Sequence, residues 1–415
     1  MSATVIIGGG VIGLCCAHAL ARRGERVIVL DAEKSGAASA ANAGWIVPTF
    51  SGPVPAPGMV RESLAAMLHR ENPFYVNPLS LPELAGWLRA FWGRCNARDY
   101  ARGLEAMAAL NHRAMALYDA LAQDGVSFEM HRSGLLFAFL DRAHTAHLLD
   151  DLDHLQALGY HRPEMLGPKD VRDLEPALGP EVVAGLLVEI ERHVRPETLL
   201  EGLRRRLAEL GADVRKGVEV TGVRHKNGTV AAVTTSAGGL AGDRFLIAAG
   251  VWSELVAQRC GFALPVTAAK GYSVTAPAPE PFFRRPVYLS EARIVCSPFR
   301  GASRIAGWLE LSGINPATDA RRLAAMTRLA TRYLPHWRPA QEERHAGMRP
   351  LTPDGLPVIG RAPRFDNLYV ATGHGMLGIT LAPVTAKVIA DLILRDDADE
   401  DLAPFSPGRF GRARS

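Results

Sequence analysis

The feature that most constrains this chain is a glycine-rich turn set between two apolar runs near its start. Val5-Ile6-Ile7 leads into Gly8-Gly9-Gly10-Val11-Ile12-Gly13. A helix-forming stretch from Leu14 to Arg23 follows, Gly24 closes it, and a second apolar run from Arg26 ends on Asp31. Strand, glycine turn, helix, strand and acid is the context of a dinucleotide-binding βαβ unit. Gly8 permits the tight turn, Gly10 lets backbone approach a pyrophosphate, and Gly13 lets helix and strand pack closely. Val11 and Ile12 begin the helix, whose free N–H groups and positive dipole end suit phosphates. Asp31, followed by Ala32, accepts hydrogen bonds from ribose hydroxyls and disfavours a 2′-phosphate. A bound dinucleotide is expected, NAD or FAD.

Size and charge narrow the setting. At 415 residues the chain exceeds one core, since cores stop growing near roughly 250–300 residues. Two domains, interleaved in sequence, are expected. Hydrophobic residues at 48% and charged residues at 22% describe a globular chain rather than a disordered one. A net charge of +4 gives no case for nucleic acid. Cys15, Cys16, Cys95, Cys260 and Cys296 form no C-x-x-C pair, which argues against a disulfide framework or zinc site and for a reducing compartment. His112, His131, His144, His147 and His154 are scattered without metal-ligand spacing, so no metal is expected. Thr4 to Ala21 is apolar enough to imitate a signal peptide. It has no basic residues before it and is interrupted by Gly8-Gly9-Gly10, so a cytoplasmic protein is expected.

Further along, Ser35 to Gly44 is made of small residues around Ser39, Ala41, Asn42 and Ala43. Such a stretch lies flat against a planar ligand or forms a flexible loop. Leu81 to Arg94 and Gly103 to Gln123 read as helices. Trp87, Phe91 and Trp92 make an aromatic stripe, more readily a core face than a membrane- or partner-facing one. Phe128 to Leu140 reads as a hairpin about Ser133-Gly134, and Pro196 opens a helix that Gly211 ends. Phe245-Leu246-Ile247 reaches Ala248-Ala249-Gly250, a buried strand to which the nucleotide domain returns after an insertion. Leu368 to Gly373, then His374-Gly375-Met376-Leu377-Gly378 and a helix from Ile379 to Leu394, make another strand–glycine–helix unit. Beyond Arg395 the chain reads as a solvated, loosely held end.

The chain resembles the FAD-dependent amino acid oxidoreductases of the D-amino acid oxidase and glycine oxidase superfamily, bacterial D-amino acid dehydrogenases above all. The resemblance rests on the N-terminal glycine unit and on Ala41-Asn42-Ala43-Gly44 with Pro48 and Pro57-Gly58. It continues through Ala248 to Ser253 with Trp252, Lys270-Gly271-Tyr272-Ser273, Arg349-Pro350-x-Thr352-Pro353-Asp354-Gly355 and Gly373-His374-Gly375-x-x-Gly378. It implies an α/β fold: a Rossmann-like FAD-binding domain of the glutathione reductase type interleaved with an α+β substrate domain on an antiparallel sheet. Residues 1–80, 162–262 and 345–405 would form the first, 81–161 and 263–344 the second, and 406–415 a flexible tail. It also implies non-covalent FAD, with Val220 at the adenine, Asn42 to Gly44 along the flavin, and Gly375 to Thr380 at its pyrimidine edge. The positive end of the last helix would there stabilise charge on reduced flavin.

Arg349 matches the superfamily's carboxylate-binding arginine, and a guanidinium clamps a carboxylate bidentately. Tyr272 either adds a hydrogen bond to that carboxylate or is structural. Trp45, Phe50, His374 and Met376 are expected pocket walls, and His374 stands with Arg349 and Tyr272 as a catalytic candidate. The implied reaction moves hydride from the substrate Cα to flavin N5, after which the imino acid is hydrolysed and electrons pass to a quinone or another acceptor besides O₂. Trp45 stands where the alanine-preferring enzyme carries a polar residue, and Glu189 to Pro196 lacks that enzyme's acid-rich pattern. A secondary amine such as D-proline, hydroxyproline or sarcosine therefore stays open as substrate. So do an O₂-using oxidase, peripheral contact with a membrane, and a flavoprotein subunit that mainly docks a partner.

Overall fold

The computed structural model describes residues 3–66, 69–156, 159–160, 162–278 and 281–410. Ala3–Ile7 (β1) and Arg26–Asp31 (β2) pair in parallel, and both are buried through their apolar stretch. Such runs suit a parallel sheet covered on both faces. The sheet has six strands in the order Asp213–Lys216, β2, β1, Arg244–Ile247, Leu368–Thr372 and Val358–Arg361, with only the last pair antiparallel. The strands on either side of β1 are thus more than two hundred residues apart in the chain. Between β1 and β2 lies α1 (Val11–Ala21), with Leu14, Cys15, Cys16, Ala17 and Leu20 all inaccessible to solvent. It packs against α2 (Pro196–Glu209) and α3 (Gly378–Arg395). A helix apolar all round belongs in a core, which explains the run that imitates a signal peptide.

The second layer is a nine-stranded mixed sheet. At one end of it Thr267–Pro277 (β3) lies between Ala302–Leu311 (β4) and the edge strand Glu343–Leu351 (β5), all antiparallel. The sheet continues outward from β4 through Ile294–Phe299, Val287–Leu289, Leu135–Phe139, Ala184–Val188 and Glu164–Leu166, and Phe74–Val76 also joins β4. Trp308, Tyr272 and Val274 bury one face beneath the helix Ala320–Tyr333. The α/β architecture with a parallel nucleotide sheet and a largely antiparallel second sheet is the one the sequence implies.

Several local expectations differ. The segment boundaries at 80/81, 161/162 and 344/345 cut the nine-stranded sheet, which takes Phe74–Val76, Glu164–Leu166, Ala184–Val188 and the whole of β5. The helix expected over 103–123 is two, Ala97–Asn111 and Ala114–Gln123. Gly103 is not a boundary; a Cβ there would lie 2.5 Å from Pro53 Cγ, so it serves close packing. Both helices touch α3 and so sit on the nucleotide side. Met130–His131 and Leu135–Phe139 enter different sheets and form no hairpin. The aromatic stripe turns inward, with Phe91 buried and Trp87 stacked on it at 5.2 Å. The chain end is held to residue 410: Phe405 is buried and Arg409 pairs with Asp354 at 2.7 Å. The rest of the expected tail, 411–415, lies outside the described residues, as does His161, while nothing of the side chains of His147 and His154 is described. Among the described residues no helix is long and apolar enough to cross a membrane.

Candidate active site

The carboxyl ends of β1 and β2 open into a cleft of about 1160 Å³, partly open to solvent. Gly8 turns there with φ +122°, and a Cβ on it would lie 2.3 Å from the Ala248 carbonyl oxygen. Gly13 packs so closely that its Cβ would be 1.9 Å from the Gly8 oxygen. The first turn of α1 carries no acid, and the Val11 N–H donates to Ser39 Oγ at 3.1 Å. That leaves a helix N-terminus facing the cleft, a ready anion site. Asp31 stands at its rim, accepting the Glu33 N–H at 3.0 Å, with Arg204 3.5 Å away.

The cleft gathers Gly8, Gly10, Val11, Ile12, Asp31 and Ala32 from the first unit, and Ser39 and Asn42 from the small-residue loop. Val220, Ala249, Gly250 and Trp252 come from the middle of the chain, and Gly375, Gly378 and Ile379 from the last unit. Gly13, Ala41, Ala43, Gly44, Met376, Leu377 and Thr380 do not line it. Gly13 acts by packing. Gly44 has φ +82° and sits against Val194 O, which makes it a turn residue. Thr380 Oγ1 is committed to Val47 N and Trp45 O, both at 3.1 Å, so its hydroxyl is spent on the strand Trp45–Ile46. Met376 is half exposed, and Leu377 packs among the residues around Trp45. Sequence reasoning missed Lys34, Glu219, Arg259, Met348 and Pro350. Arg259 donates to the Val220 carbonyl at 2.6 Å, and Lys34 pairs with Glu219 at 2.7 Å. No local spacing announces either contact.

The small-residue loop is tied down from the second sheet. Arg304, on β4 and buried, donates to Ala40 O at 3.0 Å and Asn42 O at 2.7 Å, and also meets Thr275 and Glu197. Gly347 of β5 faces this loop, since a Cβ there would be 3.3 Å from Ala41 Cβ. Residues two apart share a strand face, so Arg349 points the same way. Its Nη1 donates to the Trp308 carbonyl at 2.6 Å. No acidic side chain among the described residues pairs with it, and burial lowers its pKa to about 10. A largely enclosed guanidinium without a counter-charge is a site prepared for an anion.

The other expected site residues differ. Tyr272 is buried and donates its hydroxyl to Glu310 at 2.5 Å, so it is not free for a substrate carboxylate. Glu310 is bound as well by Lys270 at 3.0 Å and Arg322 at 3.2 Å. This charge cluster captures the tyrosine, and a cross-strand partner cannot be read from the local motif. His374 lines the cleft, but its Nε2 lies 2.9 Å from Thr385 Oγ1 and burial holds its pKa down to about 3. A neutral histidine fixed in this way is a wall rather than a proton carrier. Trp45 donates its indole N–H to Ser297 Oγ at 2.8 Å, and Ser297 donates to Ala43 O at 2.7 Å. Tyr288 meets both Trp45 (6.3 Å between ring centres) and Phe50 (5.1 Å), and Phe137 completes the cluster. Among the described residues no three His, Cys, Asp or Glu side chains gather as a metal ion would require.

A glycine-lined cleft on a parallel sheet, joined to an antiparallel sheet that presents an unpaired arginine, defines a two-layer dinucleotide oxidoreductase. Residues 3–392 match the family described as FAD dependent oxidoreductase, and the chain belongs to that family. Its cofactor is FAD. The chain is 31% identical to a D-amino acid dehydrogenase of Methylobacterium sp. (strain 4-46), covering 99% of both chains. It is likewise 31% identical to one from Xanthobacter autotrophicus, again over 99% of each. Glycine oxidase from Geobacillus kaustophilus shares the fold at TM-score 0.79 and 22% identity, covering 99% of each chain. L-proline dehydrogenase from P. horikoshii does so at 0.75 and 20%, covering 100% of this chain and 99% of the other. The cleft fits FAD: Gly8 and Gly10 bring no side chain of their own, and the α1 N-terminus, free of acids, faces the cleft with only the small Ser39 hydroxyl against it.

Proposed function

We propose that this protein dehydrogenates a small amino acid at its α-carbon, with Arg349 binding the substrate carboxylate. The observation that carries this reading is the Arg349 guanidinium itself, enclosed, without an acidic partner, and on the face of β5 that meets the loop at Ala38 and Ala41. The curated relatives named D-amino acid dehydrogenase support an amino acid of the D series.

Bound FAD would supply the two-electron acceptor for the Cα hydride. The protein's part is placement. Arg349 holds the carboxylate, and the enclosed site favours the neutral amine, whose lone pair forms the C=N bond as the Cα hydride departs. Water then hydrolyses the imino acid. The loop at Asn42, fixed by Arg304, and the N-terminus of α3, free of acids in its first turn, would hold the flavin. A helix N-terminus there favours the negative charge of the reduced ring. Electrons leave to a quinone or another acceptor besides O₂.

A cyclic or N-alkyl secondary amine is the second reading. It is favoured by the aromatic group of Trp45, Phe50 and Tyr288 next to α3, which offers apolar ring faces to a cyclic or N-alkyl substrate. Anaerobic mixing of the yellow holoenzyme with D-alanine, D-proline, hydroxyprolines, sarcosine and glycine separates the readings. Bleaching by D-alanine supports the first, and bleaching confined to the secondary amines supports the second. No bleaching by any amino acid overturns both. Peroxide release in air would replace the quinone acceptor with O₂.

A further inference from the structure

Arg349 rests on a defect in the sheet. Along β3 and β4 the register slips between Lys270, which faces Glu310, and Tyr272, which faces Gly307. Trp308 and Leu309 thus stand opposite Gly271 alone, an extra residue of the kind that makes a β-bulge. Trp308 takes φ +60°, a left-handed backbone that a bulky aromatic residue rarely adopts. That twist accompanies the carbonyl that accepts Arg349 Nη1 at 2.6 Å. The Trp308 ring is held in place by Arg322, 4.9 Å from its centre, and by its own N–H on Ala292 O at 3.1 Å. Across from it, a Cβ on Gly271 would fall 2.2–2.5 Å from three atoms of the Arg349 guanidinium. The guanidinium therefore lies directly on the Gly271 backbone.

We propose that Gly271 and Trp308 are positioning residues that present the Arg349 guanidinium to a substrate carboxylate; this rests on the reading of Arg349 given above. The physical logic lies in the kind of acceptor used. A carbonyl fixes one N–H without cancelling the positive charge, whereas a carboxylate would fix it and compete with the substrate. The acid two residues beyond Trp308, Glu310, is occupied by Lys270, Tyr272 and Arg322. The bulge thus supplies direction, the glycine supplies room, and the neighbouring cluster keeps its acid away.

The test uses the FAD-loaded enzyme, with acetate as a carboxylate probe read by the flavin difference spectrum and the KM and kcat of an amino acid that bleaches the flavin. Gly271→Ala is expected to raise the acetate Kd and the KM together by about tenfold or more, with kcat within about threefold and the flavin retained. Trp308→Ala, which removes the ring contacts that hold the left-handed backbone in place, is expected to move both constants the same way; Trp308→Gly, which loses them too but adopts that backbone freely, is expected to move them less. Arg349→Lys separates the two levels. If it leaves Kd and KM unchanged, or wild type shows no acetate response, the reading of Arg349 fails. If it raises them while Gly271→Ala, or Trp308→Ala should the glycine variant not fold, leaves them alone, the positioning proposal is overturned. A fall in kcat with constant KM would overturn it too.

Discussion

Two guanidinium groups flank Trp308, Arg322 fully buried and Arg349 partly exposed, and they are treated in opposite ways. Arg322 is fully buried, lies over the Trp308 ring, and is answered by Glu310 at 3.2 Å and the Asn72 carbonyl at 3.1 Å. Arg349 lies on the carbonyl side of the same residue and has no acidic partner among the described residues. One charge is neutralised within the fold; the other is left for a ligand. The difference teaches where this sheet spends its electrostatics: Arg322 is held by the fold, and Arg349 is the group the proposed function assigns to binding.

Removing the shared acid should separate them most strongly. Glu310→Gln leaves Lys270 and Arg322 buried without an anion, and thermal unfolding should show a loss of about 3–5 kcal/mol. Burial by itself would raise the Glu310 pKa, but Tyr272 and Lys270 hold it below the ordinary carboxylate value. Its contribution is therefore present above the unfolded pKa and lost as pH falls through the lower folded value. Arg349→Ala should behave in the reverse sense, with Tm unchanged or higher because an uncompensated buried charge is gone. Its KM should rise by the equivalent of about 2–5 kcal/mol with FAD still bound. A large loss of stability with little change in KM would make Arg349 a second Arg322.

His374 gives a smaller effect. Burial lowers its pKa to about 3 from an ordinary value near 6.5. The unfolded chain therefore binds the proton first, and stability falls as pH drops below about 6.5 toward the folded value. Comparing wild type with His374→Gln, the Tm dependence between pH 7.5 and pH 5 should flatten by about 2 kcal/mol. An unaltered slope would show that His374 is not the neutral wall described above. Smallest is Ser39→Ala, which removes the acceptor of the Val11 N–H. A weaker hold on FAD of about 0.5–1.5 kcal/mol, measured by flavin titration of the apoprotein, is expected.

What could be read in the sequence follows the same division. The cleft is made by backbone at short range: Gly8, Gly13 and Asp31 act within one βαβ unit, so spacing reveals them. The arginine site is assembled across β3, β4 and β5, and its neighbours are set by register rather than by sequence distance. Tyr272 adjoins Gly271 in a recognisable motif, yet its hydroxyl belongs to Glu310, thirty-eight residues on. Nothing local to Trp308 announces a left-handed backbone, and nothing near Arg349 announces the absence of an acid. Thr380 misleads for the same reason, because its partners at Trp45 and Val47 lie at the other end of the chain.

The strand β5 serves both halves of the site with alternate residues. Met348 and Pro350 line the dinucleotide cleft, while Arg349 between them turns to the other face. The spacing between cofactor wall and carboxylate anchor is therefore the pleat of a single strand, a rigid gauge that closing or opening one sheet against the other does not reset. A substrate held there is measured from its carboxylate inward. On the proposed reading of Arg349, variation in substrate size would be taken up away from this strand, where side chains can be exchanged without disturbing the gauge.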